Sequence, residues 1–487
     1  MPLPILSVAQ MREWETATWA TGRMEAEVIQ RVGQAVARRA FALTRAGEHI
    51  LILAGKGHNG DDARAALPHL EGRETQCLTI TDAAAQLGEL ESALARSPAL
   101  VIDALFGLGL NRPLDAAWQR FIAELNAAQL RVLAVDVPSG LNADTGETFG
   151  AAVTAEVTLT VGAPKQGLLC ATAWPLVGRL EVAEDVGLIP CPATSDALNW
   201  VQPHDFKNFP PPRAVAAHKG DFGHLAIVAG SLGYHGAAVL ATRAAQRAHA
   251  GLVTLHTLGD VYHAIAAQLQ GAMVRLWSAE KQLTMPHSAV LIGPGLAAPE
   301  AAEEFSLAAR KLWRDQPTPV IVDASALDWL PLDPVPKGAI RIVTPHPGEA
   351  ARLIKNSVAH VQADRPRAVR EISHRLGDCW VVLKGHQTLI GRSSGEIFVN
   401  SSGNPLLAQG GSGDVLAGYI AGLIAQPALQ HDIGKTLRFA VWQHGAAADR
   451  LSAQRSNWIV EELAEAIGTV QAAEEKRGKG AEGTSRV

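Results

Sequence analysis

The sequence predicts an α/β fold made of two tandem doubly wound domains. Its 487 residues exceed what one hydrophobic core usually serves, and 47% of them are hydrophobic, which is enough for two cores. Continuous apolar runs typical of buried parallel strands alternate with segments rich in alanine and leucine. The alternation occurs in two series, which a proline-rich stretch separates. We therefore expect two α/β units, each with its own sheet.

The N-terminal series starts with apolar positions at helical spacing between residues 7 and 45, which predict two helices. Strands are predicted at 49–54, 76–80, 99–103, 131–136 and 157–161. Because these strands are apolar throughout, we expect a parallel sheet with helices on both of its faces.

The stretch from about 188 to 215 lacks regular periodicity and contains six prolines, which indicates a domain boundary. We therefore expect an N-terminal domain at 1–190, a linker at 191–213, a C-terminal domain at 214–473 and a disordered tail at 474–487. In the C-terminal series, helices are predicted at 236–250 and from about 414 and 434, and strands at 225–229, 252–258, 289–293, 320–324, 341–344 and 380–384.

Composition limits the kinds of partner. The net charge is -5 and no long basic run occurs, so we expect no nucleic acid. No apolar run approaches the length of a transmembrane helix, so we expect no membrane. The first ten residues lack a basic region followed by an apolar stretch, which predicts a cytoplasmic protein.

One stretch, residues 403–418, combines a glycine-rich turn with the start of an apolar helix. Gly410, Gly411 and Gly413 free the backbone to fold tightly, so that N–H groups at the helix N-terminus face outward and favour an anion. Asp414 lies in the first helical turn, where it would stay ionised and accept a proton from a hydroxyl or a water. The alternative is a glycine C-cap followed by an ordinary capped helix.

Polar or glycine-rich loops follow three strands of the N-terminal series, at 55–62, 103–109 and 136–140. Open α/β sheets gather their ligands at the carboxyl ends of the strands. Asn59, Asp103 and Ser139 carry the hard oxygen atoms that alkali and alkaline-earth cations prefer. Each loop alone is consistent with an ordinary strand-end turn, whereas three together favour a binding site.

Through these loops and residues 162–165, the half from about 7 to 185 resembles the YjeF N-terminal family, the NAD(P)H-hydrate epimerases, with a Rossmann-like domain. The resemblance implies a potassium site at Asn59, Asp103 and Ser139. It also implies that Asp136 and Lys165 are a catalytic pair beside the nicotinamide ring, where an acid and a base would ionise the C6 hydroxyl and return it on the other face. The implied substrate-binding residues are His58, Asn59, Gly60, Asp61, Asp62, Gly107, Leu108, Gly109, Leu110, Asn111, Arg112, Pro113 and Asp136.

The first of these loops departs from the family pattern, which usually is Gly-x-Gly-Asn-Asn-Gly-Gly-Asp-Gly. This chain has His58 in place of the first Asn, Asp61 in place of a Gly and Ala63 in place of the last Gly. We expect a side chain at 61 to crowd the substrate phosphates and its carboxylate to repel them. A non-catalytic N-terminal binding module is therefore an alternative.

The C-terminal half has glycine-dense loops beside its strands, at 218–223, 230–238, 293–295, 323–327, 344–349 and 384–388. Glycine-rich loops between apolar strands weaken a sheet, so their number favours a binding role. Taken singly, His346 could cap the helix that follows it, and Lys384 could be a solvated strand end.

With the glycine-rich turn, these motifs make residues from about 213 to 470 resemble the YjeF C-terminal family, ribokinase-like ADP-dependent NAD(P)H-hydrate dehydratases. The implied chemistry is phosphoryl transfer from ADP to the C6 hydroxyl, with Asp414 as base, followed by loss of phosphate. Magnesium is expected with ADP, and Glu349 is a candidate indirect ligand. The residues implied to face the hydrated dinucleotide are Ala237, Gly295, His346 and Asp414. Those implied to hold the AMP part of ADP are Lys384, Gly385, His386, Gln387, Thr388 and Gly413.

Together, the two resemblances predict an enzyme that epimerises R- and S-NAD(P)HX and dehydrates the S form to NAD(P)H, releasing AMP and phosphate. Two alternatives stay open. One is a dehydratase with a non-catalytic N-terminal module, and the other is a ribokinase-like kinase for a small molecule, which shares the Gly-Ser-Gly-Asp turn. The predicted partners are NADHX, NADPHX and ADP, and the predicted assembly is a homo-oligomer.

Overall fold

The computed structural model describes residues 2–192, 198–278, 283, 286–299, 302–332, 335–336 and 338–471. The chain divides into two compact units, Leu3–Trp200 and Val201–Val487, and Met1–Pro2 is grouped with the second. The division falls inside the predicted linker of 191–213, where Leu198–Trp200 is a strand. The predicted domain bounds stay predictions, and the predicted disordered tail at 474–487 lies outside the described residues.

The elements of the N-terminal unit alternate between strands and helices. In chain order they are β1 (Leu3–Pro4), α1 (Val8–Ala20), α2 (Glu25–Leu43), β2 (His49–Ala54), α3 (His58–Ala66), β3 (Glu74–Thr79), α4 (Leu87–Leu94), β4 (Leu100–Ala104), α5 (Ala116–Ala127), β5 (Val132–Val135), β6 (Val157–Val161), α6 (Trp174–Val177), β7 (Arg179–Ala183) and β8 (Leu198–Trp200).

Six of the strands described for this unit form a parallel sheet in the order β3-β2-β4-β5-β6-β7. Alternate residues of β2 serve opposite faces of the sheet. Ile50 and Ile52 pack with apolar residues of α2, whereas Leu51 and Leu53 pack with those of α4 and α5. Both faces are therefore covered by helices, as predicted. The edge strand β7 is an addition to the prediction.

The elements of the C-terminal unit follow the same alternation. In chain order they are β9 (His224–Val228), α7 (His235–Arg247), β10 (Leu252–Thr257), α8 (Gly259–Ala266), β11 (Met273–Leu276), β12 (Ala289–Ile292), α9 (Ala302–Asp315), β13 (Val320–Val322), β14 (Arg341–Val343), α10 (Pro347–Ile354), α11 (Val358–Ala363), α12 (Arg365–Arg375), β15 (Trp380–Leu383), β16 (Leu389–Gly391), β17 (Ile397–Val399), α13 (Ser412–Ile424), α14 (Ile433–Gln454) and α15 (Val460–Ala466).

Nine of the strands described for this unit have the order β17-β16-β15-β14-β13-β12-β9-β10-β11. Strands β9 to β15 are parallel, whereas β15, β16 and β17 pair antiparallel. The α/β prediction is confirmed, but β11, β16 and β17 were not predicted. With three residues each, β16 and β17 are too short for an apolar period, and pairing with neighbouring strands determines their structure.

Helix α13, which carries Asp414, is held tightly against α7. A Cβ added at Gly418 would lie 2.0 Å from Ala241 O, and one added at Gly422 would lie 2.5 Å from Ala245 O. Only glycine allows so close an approach of the two backbones. The contact fixes the position of the first turn of α13.

No helix in the described part of the chain combines the length and the apolar content that crossing a membrane requires. Among the same residues, no group of three or more His, Cys, Asp or Glu side chains is arranged to hold a metal ion. The cytoplasmic location and the homo-oligomeric state stay predictions.

Candidate functional site

Asp136 and Lys165 form a buried ion pair beyond the carboxyl end of β5. Lys165 Nζ donates to Asp136 Oδ1 at 2.5 Å, to Val161 O at 2.8 Å and to Thr160 Oγ1 at 3.0 Å. The Lys165 side chain is 0% exposed. Asp136 Oδ1 also accepts from the Val161 N–H at 3.0 Å and the Thr160 hydroxyl at 3.2 Å. A buried ammonium requires such a set of partners, so the structure brings together the two residues that the sequence placed in one site.

Asp136 has a backbone φ of 64°, in the left-handed region that residues other than glycine seldom occupy. Its N–H donates to Leu159 O at 2.9 Å, which ties the turn to β6. Uncommon backbone geometry of this kind is concentrated at functional sites.

The three residues predicted to hold potassium converge at the ends of β2, β4 and β5. Asp103 is 0% exposed and accepts from the Ser139 hydroxyl at 2.6 Å and the Ser139 N–H at 2.8 Å. Burial raises the pKa of Asp103 to about 6, although these hydrogen bonds oppose the shift. Asn59 Nδ2 donates to Phe106 O at 2.9 Å, and the Phe106 N–H donates to Ser139 Oγ at 2.9 Å. The cluster thus joins all three predicted ligands.

One atom of this cluster lacks a partner. Asn59 Oδ1 is buried and has no hydrogen bond within the described structure. A buried acceptor without a partner costs free energy, and a cation would supply the missing contact. Amide, carboxylate, hydroxyl and carbonyl oxygens together have the donor chemistry that a potassium ion requires, so the residues fit the predicted ion.

The segment 58–62 forms the first turn of α3. Gly60 is required there, because an added Cβ would lie 2.1 Å from Gly55 O. Asp61, at the altered position, turns along the helix, where its Oδ1 accepts from Arg64 Nη2 at 2.7 Å. His58 is exposed and its Nδ1 lies 2.9 Å from Glu25 Oε1. The extra carboxylate is therefore countered by a cation of the same helix.

Asp62 follows Asp61 on α3 and has a different environment. Burial, and after it the charge of Asp136, raises the pKa of Asp62 to about 8. Its carboxyl is half-buried and makes no hydrogen bond in the described part of the chain. Asp62 is therefore an acid that holds its proton at neutral pH.

The second predicted substrate segment, 107–113, is a half-exposed to exposed loop after β4. A Cβ added at Gly107 would lie 3.2 Å from Asn59 Cβ, so the loop starts against the potassium cluster. Leu108 O accepts from Arg12 Nη2 at 3.2 Å, and the Leu110 N–H donates to Gly107 O at 3.1 Å. Gly109, Asn111, Arg112 and Pro113 are exposed.

In the C-terminal unit, four polar side chains meet beyond β13, β14 and β15. Lys384 Nζ donates to Asp323 Oδ1 at 2.8 Å and lies 3.8 Å from Glu349 Oε2. Thr344 Oγ1 donates to the same Asp323 oxygen at 2.6 Å. The Lys384 side chain is 17% exposed, so it is not a solvated strand end. We call Asp323, Thr344, Glu349 and Lys384 the lysine cluster.

The glycine-rich turn meets the lysine cluster at the start of α13. Gly411 is left-handed with a φ of 93°, and α13 begins at Ser412. A Cβ added at Gly413 would lie 3.3 Å from Lys384 Nζ, so the ammonium lies close against the turn. The N-terminus of α13 and the ammonium thus both favour a bound anion.

The charges of the lysine cluster act on the pKa of Asp414, which lies in the first turn of α13. Burial, followed by the charge of Asp323 and then that of Glu349, raises its pKa to about 7, while Lys384 opposes the shift. A carboxyl whose pKa lies near neutrality is suited to take up and release protons.

His346 is the N-cap of α10, as the alternative interpretation of the sequence proposed. Its Nδ1 accepts from the N–H groups of Gly348 at 3.0 Å and Glu349 at 3.3 Å, and Glu349 Oε2 accepts from the His346 N–H at 2.7 Å. The ring is still 53% exposed and so remains accessible to a ligand. Capping and binding are compatible here.

The predicted AMP segment, 384–388, is held by a residue that sequence reasoning missed. Arg365 donates through Nη1 to His386 O and, at 3.3 Å, to Gln387 O, and through Nη2 to Leu383 O at 3.2 Å and Lys384 O at 3.3 Å. Gly385 and Gln387 have φ values of 125° and 50°. Thr388 Oγ1 donates to Gly385 O at 3.1 Å. Nothing in the sequence marked Arg365, because its role depends on carbonyls that lie 18 to 22 positions along the chain.

Ala237 and Gly295 lie side by side. Gly295 has a φ of 65°, and a Cβ added there would lie 3.0 Å from Ala237 Cβ and 2.4 Å from Tyr234 O. A second missed residue, His444, lies beneath the glycine-rich turn with its Nε2 3.0 Å from Ser412 O. Burial lowers the pKa of His444 to about 4, so it is neutral.

Two family sequence models match the chain. The sequence model described as NAD(P)H-hydrate dehydratase matches residues 225–469, and the one described as YjeF-related protein N-terminus matches residues 74–167. The second match begins beyond the altered turn at 58–63.

Several relatives that match almost the whole chain share one description. The bifunctional NAD(P)H-hydrate repair enzyme of Coxiella burnetii is 34% identical over 470 residues, which cover 91% of this chain and 93% of the relative. Those of Thermofilum pendens and Escherichia coli are 32% and 33% identical, with 89% and 88% of this chain and 89% and 85% of the relatives covered.

Among solved structures, the chain resembles the ADP/ATP-dependent NAD(P)H-hydrate dehydratase of Bacillus subtilis, which was co-crystallised with ATP and Mg²⁺. The identity is 31% and the TM-score 0.50, and the match covers 57% of this chain and 98% of the other. Given the identity and coverage of these relatives, the chain belongs to the family of bifunctional NAD(P)H-hydrate repair enzymes.

Proposed function

We propose that the chain repairs hydrated nicotinamide dinucleotides in two steps. The N-terminal unit epimerises R- and S-NAD(P)HX at C6, and the C-terminal unit uses ADP to dehydrate the S form to NAD(P)H. Family membership supports both activities. The observation that carries the dehydratase assignment is the meeting of Asp414, Lys384 and the N-terminus of α13 around one anion site.

In the C-terminal unit, ionised Asp414 takes the proton of the C6 hydroxyl. The hydroxyl oxygen bonds to the terminal phosphorus of ADP, and AMP leaves. The amides of residues 411–413 and the ammonium of Lys384 stabilise the charge that moves between phosphates. The lone pair of the ring nitrogen then assists the departure of phosphate from C6. Loss of a proton from C5 gives NAD(P)H. The balance is hydrate plus ADP to NAD(P)H, AMP and phosphate.

The remaining predicted residues surround this centre. His346, Ala237 and Gly295 would contact the hydrated dinucleotide, and Gly413 with residues 384–388 would hold the AMP part. Magnesium bound to ADP would neutralise phosphate charge, with Glu349 as an indirect ligand. Co-crystallisation of the Bacillus subtilis dehydratase with ATP and Mg²⁺ supports this part of the proposal.

In the N-terminal unit, the substrate would lie against residues 58–62 and 107–113 with its ring over Asp136. Potassium held by Asn59, Asp103 and Ser139 would supply positive charge beside the substrate phosphate. The ion pair with Lys165 holds the Asp136 carboxylate in position. The pairing of the Asp61 carboxylate with Arg64 would lessen its repulsion of a phosphate at the start of α3.

Asp414→Asn tests the dehydratase assignment, because it keeps the size of the side chain and removes the base. We expect ADP-dependent recovery of NADH from its S hydrate to fall by about 10²- to 10⁴-fold, with R-to-S exchange unchanged. A variant that turns over at nearly the wild-type rate would remove Asp414 from the mechanism.

A further inference from the structure

The segment that leads into α13, residues 403–411, is exposed or half-exposed along its whole length. Its backbone hydrogen bonds run within the segment, for example from the Leu407 N–H to Asn404 O at 3.1 Å and from the Ala408 N–H to Pro405 O at 3.0 Å. Chain with so little burial is held in one position only by contacts from another element. Those contacts matter here because the segment ends in the glycine-rich turn.

Asp449, on α14, holds the start of this segment with both of its carboxylate oxygens. Its Oδ2 accepts from the Gly403 N–H at 3.0 Å, and its Oδ1 accepts from Asn404 Nδ2 at 3.0 Å. Asn404 Oδ1 in turn accepts from the Leu406 N–H at 3.1 Å. Hydrogen bonds to a carboxylate are stronger than neutral ones, so the half-buried Asp449 fixes both the backbone and a side chain of the segment.

Gly445, one helical turn before Asp449, lets the chain approach α14 closely. A Cβ added at Gly445 would lie 2.3 Å from Ser402 Oγ and 2.7 Å from Gly403 N. Ser402 Oγ also donates to Trp442 O at 2.8 Å. The chain therefore runs directly against the α14 backbone, which brings it within reach of Asp449.

The far end of the segment is attached to the same helix. His444 Nε2 lies 3.0 Å from Ser412 O, at the first residue of α13. Helix α14 also packs against α13. Asp449 and His444 are thus the two attachments to α14 between which the chain forms the glycine-rich turn.

We propose that Asp449 is a positioning residue of the dehydratase site. By holding Gly403 and Asn404 against α14, it sets the path of the chain that places the amides of residues 411–413 beside the phosphate charge. Donors of this kind lower a barrier most when they are held in place before the reaction. This assignment rests on the proposed dehydratase function.

The test exchanges the two polar groups of the pair in the full chain. Asn404→Asp sets a carboxylate against that of Asp449, and Asp449→Asn sets an amide against that of Asn404. In the double variant Asn404→Asp/Asp449→Asn, the carboxylate at 404 can accept from the Leu406 N–H and from the amide at 449. The oxygen of that amide can accept from the Gly403 N–H, so the double variant keeps each of the three hydrogen bonds.

We expect kcat for ADP-dependent dehydration of the S hydrate, at saturating ADP, to fall by about 10- to 100-fold in each single variant. The double variant should return to within about threefold of the wild-type kcat. R-to-S exchange, which is assigned to the N-terminal unit, is the internal control and should be unchanged. Thermal unfolding is followed in the same samples.

Asp432→Ala is the matched control, because Asp432 is the N-cap of the same helix and accepts from the Lys435 N–H at 2.8 Å. It should lower the unfolding temperature and leave kcat unchanged. A purely structural role of Asp449 would give the same result, a lower unfolding temperature with the wild-type kcat.

A single variant with a kcat within about threefold of wild type overturns the assignment alone. A double variant that does not fold, or is no faster than the slower single variant, also overturns it. So does a loss of kcat in Asp432→Ala equal to that in Asp449→Asn, since any weakening of α14 would then suffice. If one single variant does not fold, the other and the double variant decide, and if neither folds, Asp449 serves the fold and the assignment fails. A wild-type chain that recovers no NADH overturns the proposed dehydratase function and the assignment with it.

Discussion

Dehydration should depend on pH through Asp414. Burial and then Asp323 raise the pKa of this carboxyl to about 7, and only the ionised form can accept the proton of the C6 hydroxyl. The group is protonated below this pKa, so activity should be lost as pH falls. About a tenth of the sites are ionised at pH 6 and about nine-tenths at pH 8, which gives a roughly tenfold rise in kcat.

Asp323→Asn should shift the midpoint of the pH dependence of kcat. The charges of the lysine cluster determine the direction of the shift. Asp323 is the largest charge that raises the pKa of Asp414, and it also holds Lys384. Removing that charge should therefore lower the pKa of Asp414 and move the acid decline of kcat to lower pH. Asp328→Asn is the control, since Asp328 pairs with Arg352 at 2.9 Å outside the lysine cluster.

The assay follows absorbance of the reduced nicotinamide at saturating ADP and S hydrate. The terminal phosphate of ADP also titrates near this range, but it is the same in every variant, so the comparison of variants isolates Asp414. A kcat that is constant between pH 6 and 8, or an acid decline that Asp323→Asn leaves in place, would refute the assignment of Asp414 as base.

Two further substitutions test the ion pair and the nucleotide loop. Asp136→Ala should destabilise the N-terminal unit by about 3–5 kcal/mol, because it leaves the Lys165 ammonium buried without its carboxylate, whereas Asp136→Asn should cost less and still stop R-to-S exchange. Urea unfolding and the exchange assay check this, and equal stability of the two variants would contradict it. Arg365→Lys should raise KM for ADP about tenfold and change kcat less, because an ammonium cannot reach the four carbonyls that the guanidinium holds. An unchanged KM would show that the loop keeps its shape without Arg365.

The strands and glycine-rich turns were predictable because their signals are local. A strand at 157–161 was predicted from its apolar run and is found at Val157–Val161. The run is apolar because both faces of the sheet are covered by helices. Glycines at strand ends marked the turns correctly, since close backbone approach leaves a compositional trace. The glycine-rich turn before Asp414 and the Lys384 segment meet as one site.

The contacts that tune the sites were not predictable, because they join distant residues. Arg365 reaches carbonyls of another segment, and Asp323 meets Lys384 across 61 positions. Segment 58–62 was interpreted as part of a loop. It forms the first turn of α3 instead, with Gly57 as the N-cap of that helix. The partner of Asp61 follows from that helix, since Arg64 is one turn ahead.

The most direct test of the two-step repair gives the purified chain a mixture of R and S hydrates with ADP and follows absorbance of the reduced nicotinamide. If both units are active, the whole mixture should be converted at a catalysed rate. Asp136→Asn should convert only the S fraction quickly and the remainder at the spontaneous rate of exchange. If the wild-type chain leaves the R fraction to spontaneous exchange, the N-terminal unit is not an epimerase. If ADP recovers no NADH from the mixture, the C-terminal unit is not an ADP-dependent dehydratase.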